Sequence, residues 1–195
     1  MSGSNSLQIL NSPQTMTLSA IFDRLRSELK LKMFLTVALN LWMFLPYHFL
    51  QWHHFFPSIV MPESFCDRLI PFSDRAVWIY LSIYLLMPVG PFLMKDRGEI
   101  GRYALGVGLI GVLADFVFIF WPTWCPRPPA AGVNPLYRML IGIDNPFHAF
   151  PSLHAAFAIF SALCADRVLR EMRSNGLWRS CIWIWAGLIL FAASP

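Results

Sequence analysis

An all-α integral membrane protein, built as a bundle of five membrane-crossing helices, is the fold class this sequence predicts. Three observations predict it. Hydrophobic residues make up 56% of the 195 and charged residues only 13%. The apolar residues are bunched into runs of membrane-crossing length, which a soluble domain of this size rarely shows. The Lys and Arg residues collect in alternate segments between those runs, the signature of a chain that passes back and forth through a bilayer.

The elements follow in order. Met1–Gln14 is polar, rich in Ser and Asn, and lacks the basic segment and apolar core of a signal peptide. Asp23–Lys32 is a charged, partly amphipathic lead-in whose leucines suit the membrane surface. Residues 1–30 thus form an N-terminal tail and lead-in, and residues 31–195 a membrane domain. The predicted spans are Leu31–Leu50, Ala76–Met94, Tyr103–Trp121, Leu153–Leu169 and Trp178–Ala193. Asp166 and Arg167 end the fourth early, so a helix buried within the bundle fits it as well as a span. Trp52, Trp78, Trp121, Trp124 and Trp178 stand near span ends, as an interfacial belt requires. No internal repeat is evident.

Orientation follows from the basic residues. Arg24, Arg26, Lys30 and Lys32 precede the first span; Lys95, Arg97 and Arg102 lie between the second and third; Arg167, Arg170, Arg173 and Arg179 lie about the fourth connection. The alternate side holds only Arg68, Arg75, Arg127 and Arg138. The positive-inside rule puts the N-terminus in the cytoplasm, and the segments Gln51–Arg75 and Pro122–Ser152 on the exterior face, the periplasm of a bacterial inner membrane. The net charge of +4 belongs to this asymmetry, so anionic lipid headgroups are the expected partners and nucleic acid is not. Cys66 and Cys125 both fall on the exterior side, where a disulfide is permitted; Cys164 and Cys181 read as apolar filler.

The segment Pro122–Ser152 carries the chemistry. It holds seven prolines, with room for a short interfacial helix at Leu136–Ile141. It ends in Phe150-Pro151-Ser152-Leu153-His154, where Pro151 stops any preceding helix and Ser152 can cap the next one. A helix start presents unpaired N–H groups and the positive end of the dipole, a ready anion site. Ser152 and the amides of Leu153 and His154 can cradle phosphate oxygens, and Arg127 can fork two donors onto the same group. His154 then suits a general acid that protonates a departing alkoxide. The structural alternative has Arg127 snorkelling to headgroups and His154 bonded within the bundle.

Phe-Pro-Ser-Leu-His-Ala at 150–155, some twenty residues after the Arg127-Pro128 pair, resembles the type 2 phosphatidic acid phosphatase superfamily. The Phe-Pro-Ser-Leu-His form is similar to the branch containing inositol phosphorylceramide synthases. The resemblance covers about Tyr80 to the C-terminus. It implies a six-helix membrane core and metal-independent, cofactor-free cleavage of a phosphoester or pyrophosphate bond in a lipid substrate. It also implies phosphate binding by Arg127 and Ser152, with His154 as acid. Two departures stand out. Phe120 occupies the place of a lysine in the first motif, which leaves Arg127 to carry the charge alone or with Arg138. The distal motif, which opens with a serine and supplies a nucleophilic histidine and its aspartate, would begin at Ser194, and neither His nor Asp follows.

The expectation is therefore a lipid phosphatase or phosphotransferase type whose 195 residues lack their nucleophile and stop before the sixth helix. His148, six residues before His154, is the one histidine that could substitute. His48, His53 and His54 read as interfacial, since no carboxylate stands close enough to make them a metal site. Asp115 lies inside the third span and either pairs with a site residue or bonds to Asn40 or a backbone carbonyl. A non-catalytic multi-pass protein, whether degenerate member, transporter or assembly factor, is the competing class; a transporter would usually show symmetry between halves.

Overall fold

The computed structural model describes residues 18–53, 55–62, 73–125, 134–143 and 146–193. Among these the chain is an all-α bundle: α1 (Leu18–Arg26), α2 (Leu29–Trp52), α3 (Val77–Leu81), α4 (Ile83–Leu93), α5 (Arg97–Phe120), α6 (Pro135–Ile143), α7 (Leu153–Glu171) and α8 (Gly176–Ala192). A single parallel pair, β1 (Ile59–Val60) with β2 (Thr123–Trp124), joins the connections at one end. The short helix expected at Leu136–Ile141 is α6.

Three helical segments are long and apolar enough to cross a membrane: Leu29–Trp52, Asp74–Leu93, which joins a 3-10 turn to α3 and α4, and Arg97–Phe120. They are consistent with an integral membrane protein. Their outward faces agree, because Phe34, Leu45, Leu105, Leu113 and Phe116 are all more than 60% exposed. Water would penalise so large an apolar surface, whereas lipid does not. The other two expected spans are helices as well. α8 is shorter, at 17 residues, and α7 turns charged over its last turns.

α7 sits at the centre of the packing, against α4, α8 and α5. Its inward face is made of Ala158, Ala162 and Ala165, all fully buried, and small residues let helix backbones approach closely. Gly90 on α4 completes the seam. A Cβ there would stand 3.3 Å from the Cys164 Cβ and 3.5 Å from the Ala165 amide nitrogen.

α4 contains Pro88 and Pro91, and each removes one helical N–H donor. The carbonyl that Pro91 would have served is that of Met87. It accepts instead from the Tyr103 hydroxyl of α5, at 2.9 Å. The bond ties α4 to α5 at the point where the helix ladder is interrupted. Tyr103→Phe is therefore expected to cost about 1 kcal/mol, read as a lower unfolding midpoint in detergent micelles. An unchanged midpoint would mean that the Met87 carbonyl is satisfied some other way.

The end of the bundle that holds the α4 C-terminus is basic and tightly tied. α1 and α2 do not run on as one lead-in; the chain breaks at Ser27–Glu28, where Glu28 takes a φ of 50°. The break folds α1 back, so that Lys32 is 2% exposed and its Nζ donates to the carbonyls of Arg24 (2.6 Å) and Phe92 (2.9 Å). Arg24 donates to the Leu93 carbonyl at 3.0 Å. Two cations thus satisfy the last carbonyls of α4, where the helix dipole favours positive charge. Nearby on α7, buried Asp166 accepts from Arg170 and from Arg179, each as close as 2.6 Å, and so fastens α8 to α7.

Candidate functional site

At the opposite end, three connecting segments weave together above the helices. Ile59 donates to the Pro122 carbonyl and Met61 to that of Trp124, both at 2.8 Å. Cys125 donates to the Pro146 carbonyl at 3.1 Å, and Trp124 bridges Phe147 in antiparallel fashion. His148 follows with a φ of 64° and gives its amide to the Thr123 carbonyl at 2.7 Å. His tolerates that left-handed region better than most residues do.

Thr123 is the pin of this arrangement. Its buried hydroxyl accepts from the Phe150 amide at 2.8 Å and donates to the Phe150 carbonyl at 3.3 Å. A single side chain so fixes the residue two positions before the Ser152 cap of α7. The Phe150–Pro151 peptide is cis. Ser152 then caps α7 as its sequence suggests, its Oγ accepting from the Ala155 amide at 3.3 Å. Ala156 makes the first intrahelical bond, to the Ser152 carbonyl at 3.0 Å. The amides of Leu153 and His154 precede it, in the first turn of the helix.

His154 reaches from this first turn toward α3 and α4. Its Nδ1 lies 3.0 Å from the Tyr80 hydroxyl. The two rings stack at 3.9 Å between centroids and 20° between planes, while Tyr84 meets the imidazole edge-on at 6.4 Å. His148 is 5% exposed, its ring 4.6 Å from that of Phe118 and 6.0 Å from that of Tyr47.

Below them opens a cavity of about 500 Å³. Polar side chains on its lining include His48, Tyr80, His148, Ser152 and His154, with Thr36, Asn40, Tyr84 and Tyr103 among the others. Apolar side chains of α2, α4 and α5, among them Leu39, Met43, Met87 and Val107, make most of the wall, and Lys32 lies on the lining from α2's other end. Phe191, Ala192 and Ala193 bring the end of α8 to the same cavity. The lining so offers polar groups that can meet an anion and apolar side chains that can meet a chain.

The sequence-predicted residues divide as follows. Ser152, Leu153, His154 and His148 line one cavity. Arg127 lies outside the described residues, as do Cys66, His54 and Ser194. Arg138 is on α6 with an exposed side chain, and it is not among the residues that line the cavity. Asp115 is half-buried on α5 and does not line it either. The Asn40 amide donates to the Thr36 carbonyl at 2.7 Å rather than to Asp115. His48 and Gln51 pair at 3.2 Å, and His53 bonds the Phe49 carbonyl at 3.0 Å. Among the described residues, no three His, Cys, Asp or Glu side chains are grouped to hold a metal.

Tyr80 and Thr123 went unread in the sequence. Both are single polar groups in apolar surroundings, and only a long-range contact marks them.

The fold and this chamber define an all-α bundle with three candidate membrane spans and an amphipathic cavity at a capped helix start. No family model, curated protein or solved structure matches the chain.

Proposed function

We propose that this chain is a membrane-embedded lipid phosphatase or phosphotransferase of the type 2 phosphatidic acid phosphatase kind. In this reading five helices cross the membrane, with the N-terminus in the cytoplasm and the Ser152 end of the chamber facing the exterior of a bacterial inner membrane. The observation that carries it is the Ser152-capped start of α7, which presents His154 to an amphipathic cavity. A lipid phosphate fits by class: its phosphate on the helix-start amides and Arg127, its chain along the apolar wall. His154 protonates the departing oxygen.

Support also comes from α8. Its last residues line the chamber that holds His154, and the resemblance puts the nucleophile's motif just after that helix. The chain is expected to bind a lipid phosphate.

The test uses the purified chain in lipid nanodiscs with a panel of short-chain lipid phosphates. Saturable binding that weakens in Arg127→Ala is the expected result. Absence of binding across the panel overturns the functional reading, leaving a non-catalytic membrane protein.

A further inference from the structure

A general acid works only if the right ring nitrogen faces the leaving group, and nothing in α7 itself decides that for His154. Its backbone fixes where the ring begins, while rotation about the side chain leaves either nitrogen free to turn inward. The second element that touches the ring is α3. Tyr80 lies there, 74 residues earlier in the chain, with its hydroxyl 3.0 Å from Nδ1. The ring planes are 20° from parallel, so the contact covers a face of the imidazole as well as one of its nitrogens. Tyr84, a turn further along the chain, closes on the ring edge-on at 82°.

We propose that Tyr80 is the positioning residue of His154: it engages Nδ1 and thereby commits Nε2 to the cavity. This rests on the reading of His154 as the acid. A tyrosine hydroxyl suits the task because it both donates and accepts. With neutral His154 at rest, the Tyr80 O–H donates to Nδ1, and the one ring proton is on Nε2. With the imidazolium, Nδ1–H donates to the Tyr80 oxygen, and Nε2–H points at the substrate. In the transfer step a nucleophile bonds to phosphorus as the P–O bond to the leaving oxygen breaks, while the Nε2–H bond breaks and an O–H bond forms on that oxygen. The imidazole left behind keeps its proton on Nδ1, still held by Tyr80.

The pairing is tested by nitrogen NMR on histidine-labelled protein in nanodiscs, a readout that needs no turnover. In the unmodified chain, neutral His154 is expected to show a proton on Nε2 alone, with Nδ1 shifted as a hydrogen-bond acceptor. Tyr80→Phe keeps the stack and removes the hydroxyl. It is expected to move the Nδ1 resonance toward that of an unbonded ring nitrogen and to let the tautomers mix. A simple packing role would leave both signals unchanged in Tyr80→Phe, and that result overturns the proposal. Should Tyr80→Phe fail to fold, the unmodified chain still decides: tautomers mixed as in free imidazole overturn it. A failure of the functional reading shows in the binding assay instead, so the two failures are told apart.

Discussion

Leu86→Ala is expected to destabilise the bundle by about 2–5 kcal/mol, toward the upper end of that range. Leu86 is fully buried on α4, one turn before Gly90, and so on the face that meets α7. The fully buried residues Ala158, Ala162 and Ala165 of α7 are small, and Gly90 lies close to the α7 backbone at Ala165. They have no side-chain length with which to fill the space, and the glycine seam holds the two helices at a set distance. A cavity lined by rigid helices collapses poorly, which is the condition for a large cost. Unfolding in mixed micelles, followed by tryptophan fluorescence, measures it. A loss below about 1 kcal/mol would mean that the seam relaxes and does not hold α4 and α7 together.

Thr123→Val carries the second large effect, and it reaches the candidate site. Valine keeps the shape and removes the hydroxyl, so the Phe150 N–H and carbonyl lose their partner. Stranding such groups costs about 1–3 kcal/mol. Because Phe150 stands two residues before the Ser152 cap, the start of α7 loosens with it. Lipid-phosphate affinity is then expected to fall by about tenfold, equivalent to roughly 1.4 kcal/mol. Thr123→Ser keeps the hydroxyl and is expected to restore both properties. Equal unfolding midpoints and equal affinities for the threonine and valine proteins would remove Thr123 from any role in placing the site.

Much of the fold was legible before the structure. Long apolar runs declare helices because a helix satisfies its own backbone, and the runs at 29–52, 77–93, 97–120, 153–171 and 176–192 are helical. Pro151 followed by Ser152 marks a helix start by local chemistry alone, and Ser152 caps α7. The break at Glu28 was not legible, since the charges of Asp23–Lys32 are compatible with one surface helix. What turns the chain there is a long-range gain, in which Arg24 and Lys32 reach the end of α4.

The candidate site divides along the same line. Ser152, Leu153 and His154 form a contiguous segment, so their nearness to one another is a property of chain order. Arg138 and Asp115 were drawn in by charge and depth, which do not say which way a helix faces. In the folded chain neither lines the cavity. Tyr80 and Thr123 carried no local signal, because a tyrosine or threonine in an apolar run has many uses.

The sequence by itself determined that this protein is helical and apolar enough to sit in a membrane, and where α7 and its capping serine begin. Those properties come from hydrophobicity, proline and capping chemistry, which act within a few residues. Only the tertiary structure decided what faces His154: the Tyr80 hydroxyl from 74 positions away, and a chamber on which α8 also ends. Such pairings depend on how the helices rotate and cross, and that is set by the close fit of Gly90 against α7, a collective outcome of packing.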